Sequence, residues 1–274
     1  MLRGFYTATN GMMAQQRRQE VLSNNITNAQ TPGYKQDQVS LRSFPELLIQ
    51  RMENRDFPNS QNRTVPTMTE IGAINTGVYV QETIPDFVQG SLRETGISTD
   101  VALVQGETPD EEGSIFFNVQ NDEGEVRYTR NGNFTLDGQG NLTTNQGHYV
   151  LDEAGNPINT DGLDFTVTPE GVLLLDGAEI PLAVSYTANP NDLVKNGQDL
   201  LELAEDGAAL VDARGVAGLQ FNVQQNHLEN SNVDAAQTMT DMMQAYRSFE
   251  ANQKVVQQYD RSLDKAVNEI ARLG

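Results

Sequence analysis

The 274-residue chain has no cysteine, no tryptophan and only two histidines, His148 and His227. Without cysteine there is no disulfide framework, thiolate zinc site, iron–sulfur cluster or cysteine nucleophile. Two histidines leave little for a histidine-rich metal centre or a His-dependent triad. Basic residues are also scarce: 18 Lys and Arg stand against 38 Asp and Glu, a net charge of −20. Nucleic-acid binding needs a basic surface to neutralise phosphates, so this composition argues against such a partner. Long apolar runs are missing; Val172–Leu175 is typical, far below the ~18 residues that span a bilayer. Met1–Gln30 lacks the continuous apolar stretch and small-residue cleavage site of a secretory signal. The expectation is a soluble, acidic protein, not a transmembrane one, folding as one large or two modest domains.

The charge is unevenly placed. Residues 1–36 hold four basic side chains against one acidic, and residues 231–274 hold five against six, so residues 37–230 carry −22. Most Gly and Pro also fall in the middle, whereas residues 231–273 contain neither. Helical ends around an acidic, turn-rich middle are therefore expected.

The C-terminal segment is the most periodic. Steps of three and four residues run through Met239, Met242, Tyr246, Phe249, Gln253, Val256, Asp260, Leu263, Val267 and Ile270. Eight of these ten positions are apolar, spaced as a coiled-coil seam. Ser231 and Asp234 resemble a capping box at its start. At ~1.5 Å per residue, such a helix is about 60 Å long and needs a partner for its stripe. The N-terminal stripe is weaker: Phe5, Ala8, Met12, Leu22 and Ile26, interrupted by Gln15 and Gln19. A helix from about Leu2 to Asn28 should stop at Thr31-Pro32-Gly33-Tyr34, which has the chemistry of a type II turn. The two stripes can cover each other, closing a discontinuous helical domain over 1–36 and 231–274; the alternative is two surface helices on a globular core.

In the middle, turn signals such as Asn131-Gly132, Asp137-Gly138 and Glu170-Gly171 recur roughly every eight residues after Val119. The short runs between them, such as Val126–Thr129 and Asn133–Leu136, suit half-buried strands. An antiparallel β domain over 85–230, a sandwich or barrel, is expected. The segment 37–84 reads as a connecting helix, from the spacing of Phe44, Leu47, Leu48 and Met52, followed over 54–75 by a long loop or an ordered surface segment. The fold class is thus α+β: paired, coiled-coil-like terminal helices with an inserted, mostly antiparallel all-β domain.

Catalytic constellations are not apparent. Asp110-Glu111-Glu112-Gly113 and Asp122-Glu123-Gly124 read as solvated turns rather than paired catalytic carboxylates. Asp152–Asp161 lacks EF-hand ligand spacing. Gly138-Gln139-Gly140 precedes no helix that could cradle phosphate. His227 beside Glu229 has no nucleophile nearby, and Asn25-Ile26-Thr27 matches a glycosylation acceptor through chance composition. No catalytic, metal or cofactor-binding residue is assigned.

Leu22–Lys35, LSNNITNAQTPGYK, resembles a signature of the bacterial flagellar basal-body rod and hook proteins, carried here by Asn24, Asn25, Asn28, Thr31, Pro32, Gly33 and Tyr34. A second signature is resembled by His227–Val256, through Leu228, Glu229, Ser231, Asn232, Val233, Asp234, Ala251 and Asn252. Gln89–Leu103 and Val126–Leu151 resemble that family's β domain. Two departures stand out: an acidic insertion, Gln105–Ser114, before Ile115-Phe116-Phe117, and Asn226 where the family tends to have Gly. The overall pattern is most similar to the distal-rod type of Gram-positive bacteria.

This resemblance implies a structural, non-enzymatic subunit of the flagellar basal-body rod, lying across the cell wall and serving motility. It implies export by the flagellar type III apparatus and helical self-assembly through the terminal helices, with like subunits and other rod and hook proteins as partners. A junction, cap or checkpoint module sharing the fold is the alternative within the family. A wall hydrolase is a third reading, motivated by the carboxylates and the location alone.

Overall fold

A computed structural model describes residues 2–56, 64–110, 112–197, 199–204 and 207–270, and only the backbone of residues 2, 53–56, 64–67 and 269–270. Two compact units emerge. The first comprises Met1–Ser23, Gln38–Thr83 and Ala236–Gly274; the second comprises Asn24–Asp37 and Ile84–Ala235.

The first unit is built on the terminal helices. Helix α1 spans Leu2–Thr27 and α2 spans Ala235–Lys265, ending in a π-helical turn, Ala266–Ile270. With no Gly or Pro over its length, α2 has nothing to break it. The helices approach through small residues on α1. A Cβ at Gly4 would collide with the Tyr259 ring, and one at Gly11 would lie 3.0 Å from Asn252 Nδ2. These pairings run in opposite directions along the chain, so the helices are antiparallel. Ala8, Ala14 and Ala245 are buried within the same unit.

Between the helices come four strands, β1 (Asp37–Ser43), β2 (Leu47–Asp56), β3 (Thr64–Ile74) and β4 (Val78–Pro85). This corrects the expectation for 37–84: the presumed helix is β2, and the described part of the presumed loop is mostly β3. The ribbon β2–β3 is antiparallel from Leu47↔Ile74 to Asp56↔Thr64, with a bulge at Ile49/Gln50. Helical spacing over four residues was outweighed by a ladder of long-range pairs, and the Thr, Val and Ile of β3 favour extended backbone. Leu47, Leu48 and Met52 are exposed, so they never formed the buried stripe of a helix. The remainder of the expected loop, 57–63, lies outside the described residues.

Among the described residues, the second unit holds sixteen short strands. They begin with β5 (Leu92–Glu94), β6 (Val101–Gln105), β7 (Ser114–Gln120), β8 (Val126–Thr129), β9 (Phe134–Leu136), β10 (Leu142–Thr144) and β11 (Tyr149–Val150). Then follow β12 (Thr166–Val167), β13 (Val172–Leu175), β14 (Ala178–Pro181), β15 (Val184–Thr187), β16 (Leu193–Lys195) and β17 (Leu201–Leu203). Last come β18 (Val211–Asp212), β19 (Phe221–Gln225) and β20 (His227–Glu229). Every pairing described is antiparallel, as expected for the insert. The central strand β7 pairs with β8, β11 and β15. Its alternation serves two cores: Ile115, Phe117 and Val119 join one apolar cluster, while Phe116 joins Leu193 and Leu201 in another.

The eight-residue rhythm of turns has a physical basis. The same five-residue hairpin loop starts at Asn121, Asp137, Thr144, Asp152 and Thr168. In each, the first side chain accepts a hydrogen bond from the backbone N–H four residues on, at 2.7–3.3 Å. The fourth residue is always Gly, at φ 79–95°, where a side chain would be strained. Asn226 also adopts left-handed backbone, φ 61°, a conformation Asn tolerates better than most residues.

Candidate functional site

The second unit collects most of the signature residues into one cluster. The turn ending α1 forms as expected: Tyr34 N–H donates to Thr31 O at 3.3 Å, with Gly33 at φ 71°. Gly33 N–H then donates to Glu229 O at 2.8 Å. A Cβ on Gly33 would lie 2.5 Å from the Arg130 carbonyl, so glycine is required there twice over.

At the centre is Glu229, whose side chain is 1 % exposed. Lys35 Nζ lies 2.6 Å from its Oε1 and Arg130 Nε 2.6 Å from its Oε2. Gly90 N–H donates to Oε1 at 2.9 Å. The cations are satisfied in turn: Lys35 donates to Val88 O at 2.8 Å, and Arg130 donates to Ile115 O at 2.6 Å and Leu103 O at 3.3 Å. Burial pushes the Glu229 carboxyl up, but the Arg130 and Lys35 charges outweigh it and hold it below the usual range. Burial dominates at Lys35 and lowers its ammonium to about 8, despite Glu229.

Asparagines lace the surrounding backbone. Asn25 accepts from Asp37 N–H at 3.0 Å and donates to Asp37 O at 2.8 Å. Asn232 accepts from Gln36 N–H at 2.8 Å and donates to Asp86 O at 2.8 Å. Each therefore stands in for a strand neighbour, satisfying backbone groups that burial would otherwise leave costly. Tyr34 Oη lies 2.9 Å from Asn24 Oδ1 and 3.1 Å from Asn25 Oδ1, and burial, with Asp37 nearby, raises its phenol well above the usual value. Over its ring sits Lys195 Nζ, 4.3 Å from the centroid and 2.6 Å from Asp37 Oδ1.

The other signature residues take local parts. Asn28 donates to Asn24 O, Thr31 Oγ1 donates to Asn28 Oδ1, and Pro32 holds the turn. Leu228 is buried, Val233 N–H donates to Ser231 Oγ, and Asp234 directly precedes α2. In the first unit, Asn252 meets Gly11, whereas Ala251 is exposed.

The seam positions divide by exposure. Ala8 and Leu22 are buried; Phe5, Met12, Ile26, Met242, Phe249, Val256 and Leu263 are half-buried; Met239, Tyr246 and Val267 are exposed. The Ile270 side chain lies outside the described residues. The face of α2 with least exposure passes through Thr238 and Ala245, one residue round from Met239 and Tyr246.

Sequence reasoning passed over Lys35, Arg130, Asp37, Lys195 and Gly90. Lys35 and Arg130 sit inside the stretches that carry the family resemblance, and cations are rare in so acidic a chain. Neither signal reveals that both converge on Glu229. His227, by contrast, approaches Gln225 O through Nδ1, at 2.9 Å. Among the described residues no group of three or more His, Asp and Glu is placed to hold a metal.

Three family models match the chain in order: the flagella basal body rod protein at residues 5–35, the flagellar hook protein FlgE/F/G D1 domain at 112–181, and the flagellar basal body rod FlgEFG protein C-terminal region at 224–269. The flagellar hook-basal body complex protein FlhO of Bacillus subtilis is 44% identical over 279 residues, covering 100% of both chains. The chain belongs to the flagellar basal-body rod and hook protein family. The flagellar basal-body rod protein FlgG of Borreliella burgdorferi is 30% identical, with 98% of each chain covered. B. subtilis FlhP, another hook-basal body complex protein, is 29% identical over 96% of this chain and 97% of its own length. Within the family, the charged cluster gathers residues from all three matched regions or their borders: Lys35 from the first, Arg130 from the second and Glu229 from the third.

Proposed function

We propose that this protein is a structural subunit of the bacterial flagellar basal-body rod, located in the basal body and serving motility. The observation that carries the reading is the cluster around Glu229. Its charges are consumed in fastening the two signature segments to the β unit, and none is left to act on a substrate. A torque-carrying shaft needs such cross-connections between distant chain segments.

Assembly proceeds through the terminal helices, which pair in a coiled-coil-like way and present Met239, Met243 and Tyr246, all exposed, to neighbouring subunits. Burying them supplies about 25 cal/mol per Å² of apolar surface. Like subunits and other rod and hook proteins are the partners, joined by heterologous contacts that repeat into an open helix. Delivery is by the flagellar export apparatus, without nucleic acid as a partner and without catalysis. No helix among the described residues is long and apolar enough to cross a membrane.

The test is to purify basal bodies from cells carrying an epitope-tagged chromosomal copy, then image and count the tag. Several copies per rod, with motility lost on deletion, are expected. A tag absent from basal bodies, or a deletion strain that swims normally, refutes the assignment.

A further inference from the structure

The second unit contains a cavity of about 410 Å³ beside the charged cluster. Phe87, Phe116, Leu200 and Leu201 give it apolar lining, and Asn24, Asn28 and Asn131 polar lining. Three cations line it, yet each is committed: Lys35 and Arg130 to Glu229, and Lys195 to Asp37.

Asp199 is different. Among the described residues its carboxylate accepts one hydrogen bond, from Asn131 Nδ2 at 3.3 Å. Its backbone sits at φ 59°, a left-handed conformation that Asp, like Asn, tolerates better than most residues, in the turn that brings Leu200 N–H to Gly197 O at 2.9 Å. Burial raises its carboxyl above the usual range, more than Asn131 and Lys195 lower it. The fold thus holds an acid, half-buried and with one hydrogen bond to its carboxylate among the described residues, against an open cavity. Such a group costs stability in the isolated subunit and gains if a cation arrives.

We propose that this cavity is a socket for an arginine or lysine side chain of a second copy of this chain, with Asp199 as the anion that receives it. The apolar lining suits the aliphatic stem of such a side chain, and the asparagines suit its N–H donors. Charge complementarity identifies the source. The chain is −22 over residues 37–230, while α1 offers Arg3 and Arg18, its Arg17 being paired with Glu20 at 2.8 Å. A second copy therefore carries a basic helix that the acidic unit would attract. This rests on the rod-subunit reading, in which copies meet repeatedly.

The decisive variants are D199N and D199E. If the acid serves a partner, D199N should keep or raise the melting temperature of the purified protein, be exported at the wild-type level, and reduce motility and basal-body incorporation at least fivefold. D199E, which retains the charge in a roomy cavity, should restore more than half of both. A D199N strain that swims and assembles normally overturns the socket. So does a lowered melting temperature, since Asp199 would then serve its own fold, and so does a D199E variant as defective as D199N. Wild-type protein absent from basal bodies would instead refute the rod reading itself, which keeps the two failures separate.

Discussion

Lys35 and Glu229 stand 194 residues apart in sequence, and Nζ of one lies 2.6 Å from Oε1 of the other. With Arg130 on the opposite carboxylate oxygen, this contact closes the turn after α1 and the approach to α2 onto the same β unit. A buried ion cluster of this kind contributes little or no net stability relative to a well-packed apolar alternative, but it is costly to break, because any single deletion strands the remaining charges.

Replacing Glu229 with Gln should therefore destabilise the second unit by about 3–5 kcal/mol, since two buried cations lose their anion. Urea unfolding followed by near-UV circular dichroism measures it. A loss below 1 kcal/mol would mean that the cations find other partners.

Gly33→Ala should cost more than the ~1–2 kcal/mol of a left-handed backbone alone, because the new methyl meets the Arg130 carbonyl. The same unfolding experiment reads the effect, and an equally stable variant would show that the turn can shift.

Acid and alkali should act in opposite senses on the cluster. The folded-state carboxyl of Glu229 is lowered from 4.5, so its contribution is complete above about that pH and is lost as pH falls through the folded value. Lys35 is lowered from 10.5 to about 8, so between these values the unfolded chain binds the more protons and stability rises with pH. Melting temperature measured from pH 3 to 10.5 should fall on the acid side. In wild type minus Lys35→Arg, a difference that removes the common background, it should show a rise above pH 8. A flat difference curve would contradict the alkaline term.

Tyr246→Asp alters an exposed side chain, so the isolated protein should keep its stability within about 0.5 kcal/mol. Motility should nevertheless be lost, because a charge would enter the face assigned to neighbouring subunits. Swarming at the wild-type rate would remove Tyr246 from that face.

The local features were readable because their causes are local. The absence of Gly and Pro over residues 231–273 permits one long helix, Pro32-Gly33 ends the other, and the recurring Asn, Asp or Thr with Gly three residues on makes the hairpin loops. The segment 37–84 was not readable in this way. Four apolar residues at helical spacing mimic an amphipathic helix, and only pairing of Leu47 with Ile74, twenty-seven residues away, selects a strand. The family signatures were legible as strings, but their reason was not: Gly33 is fixed by the Arg130 backbone, and Asn25 and Asn232 by backbone groups of other segments.

Composition, net charge and turn chemistry thus determined the class of protein: acidic, without cysteine chemistry, helical at its ends and antiparallel in its middle. Periodicity also located an apolar stripe on α2, but could not say which side of it meets α1. That was decided by side-chain volume in three dimensions, where Gly4 and Gly11 admit Tyr259 and Asn252 and leave Met239 and Tyr246 exposed. The convergence of Lys35, Arg130 and Glu229 was likewise tertiary. A sequence records that a charge exists, whereas its burial, its partner and its protonation depend on which distant segments the folded chain brings within 3 Å of it.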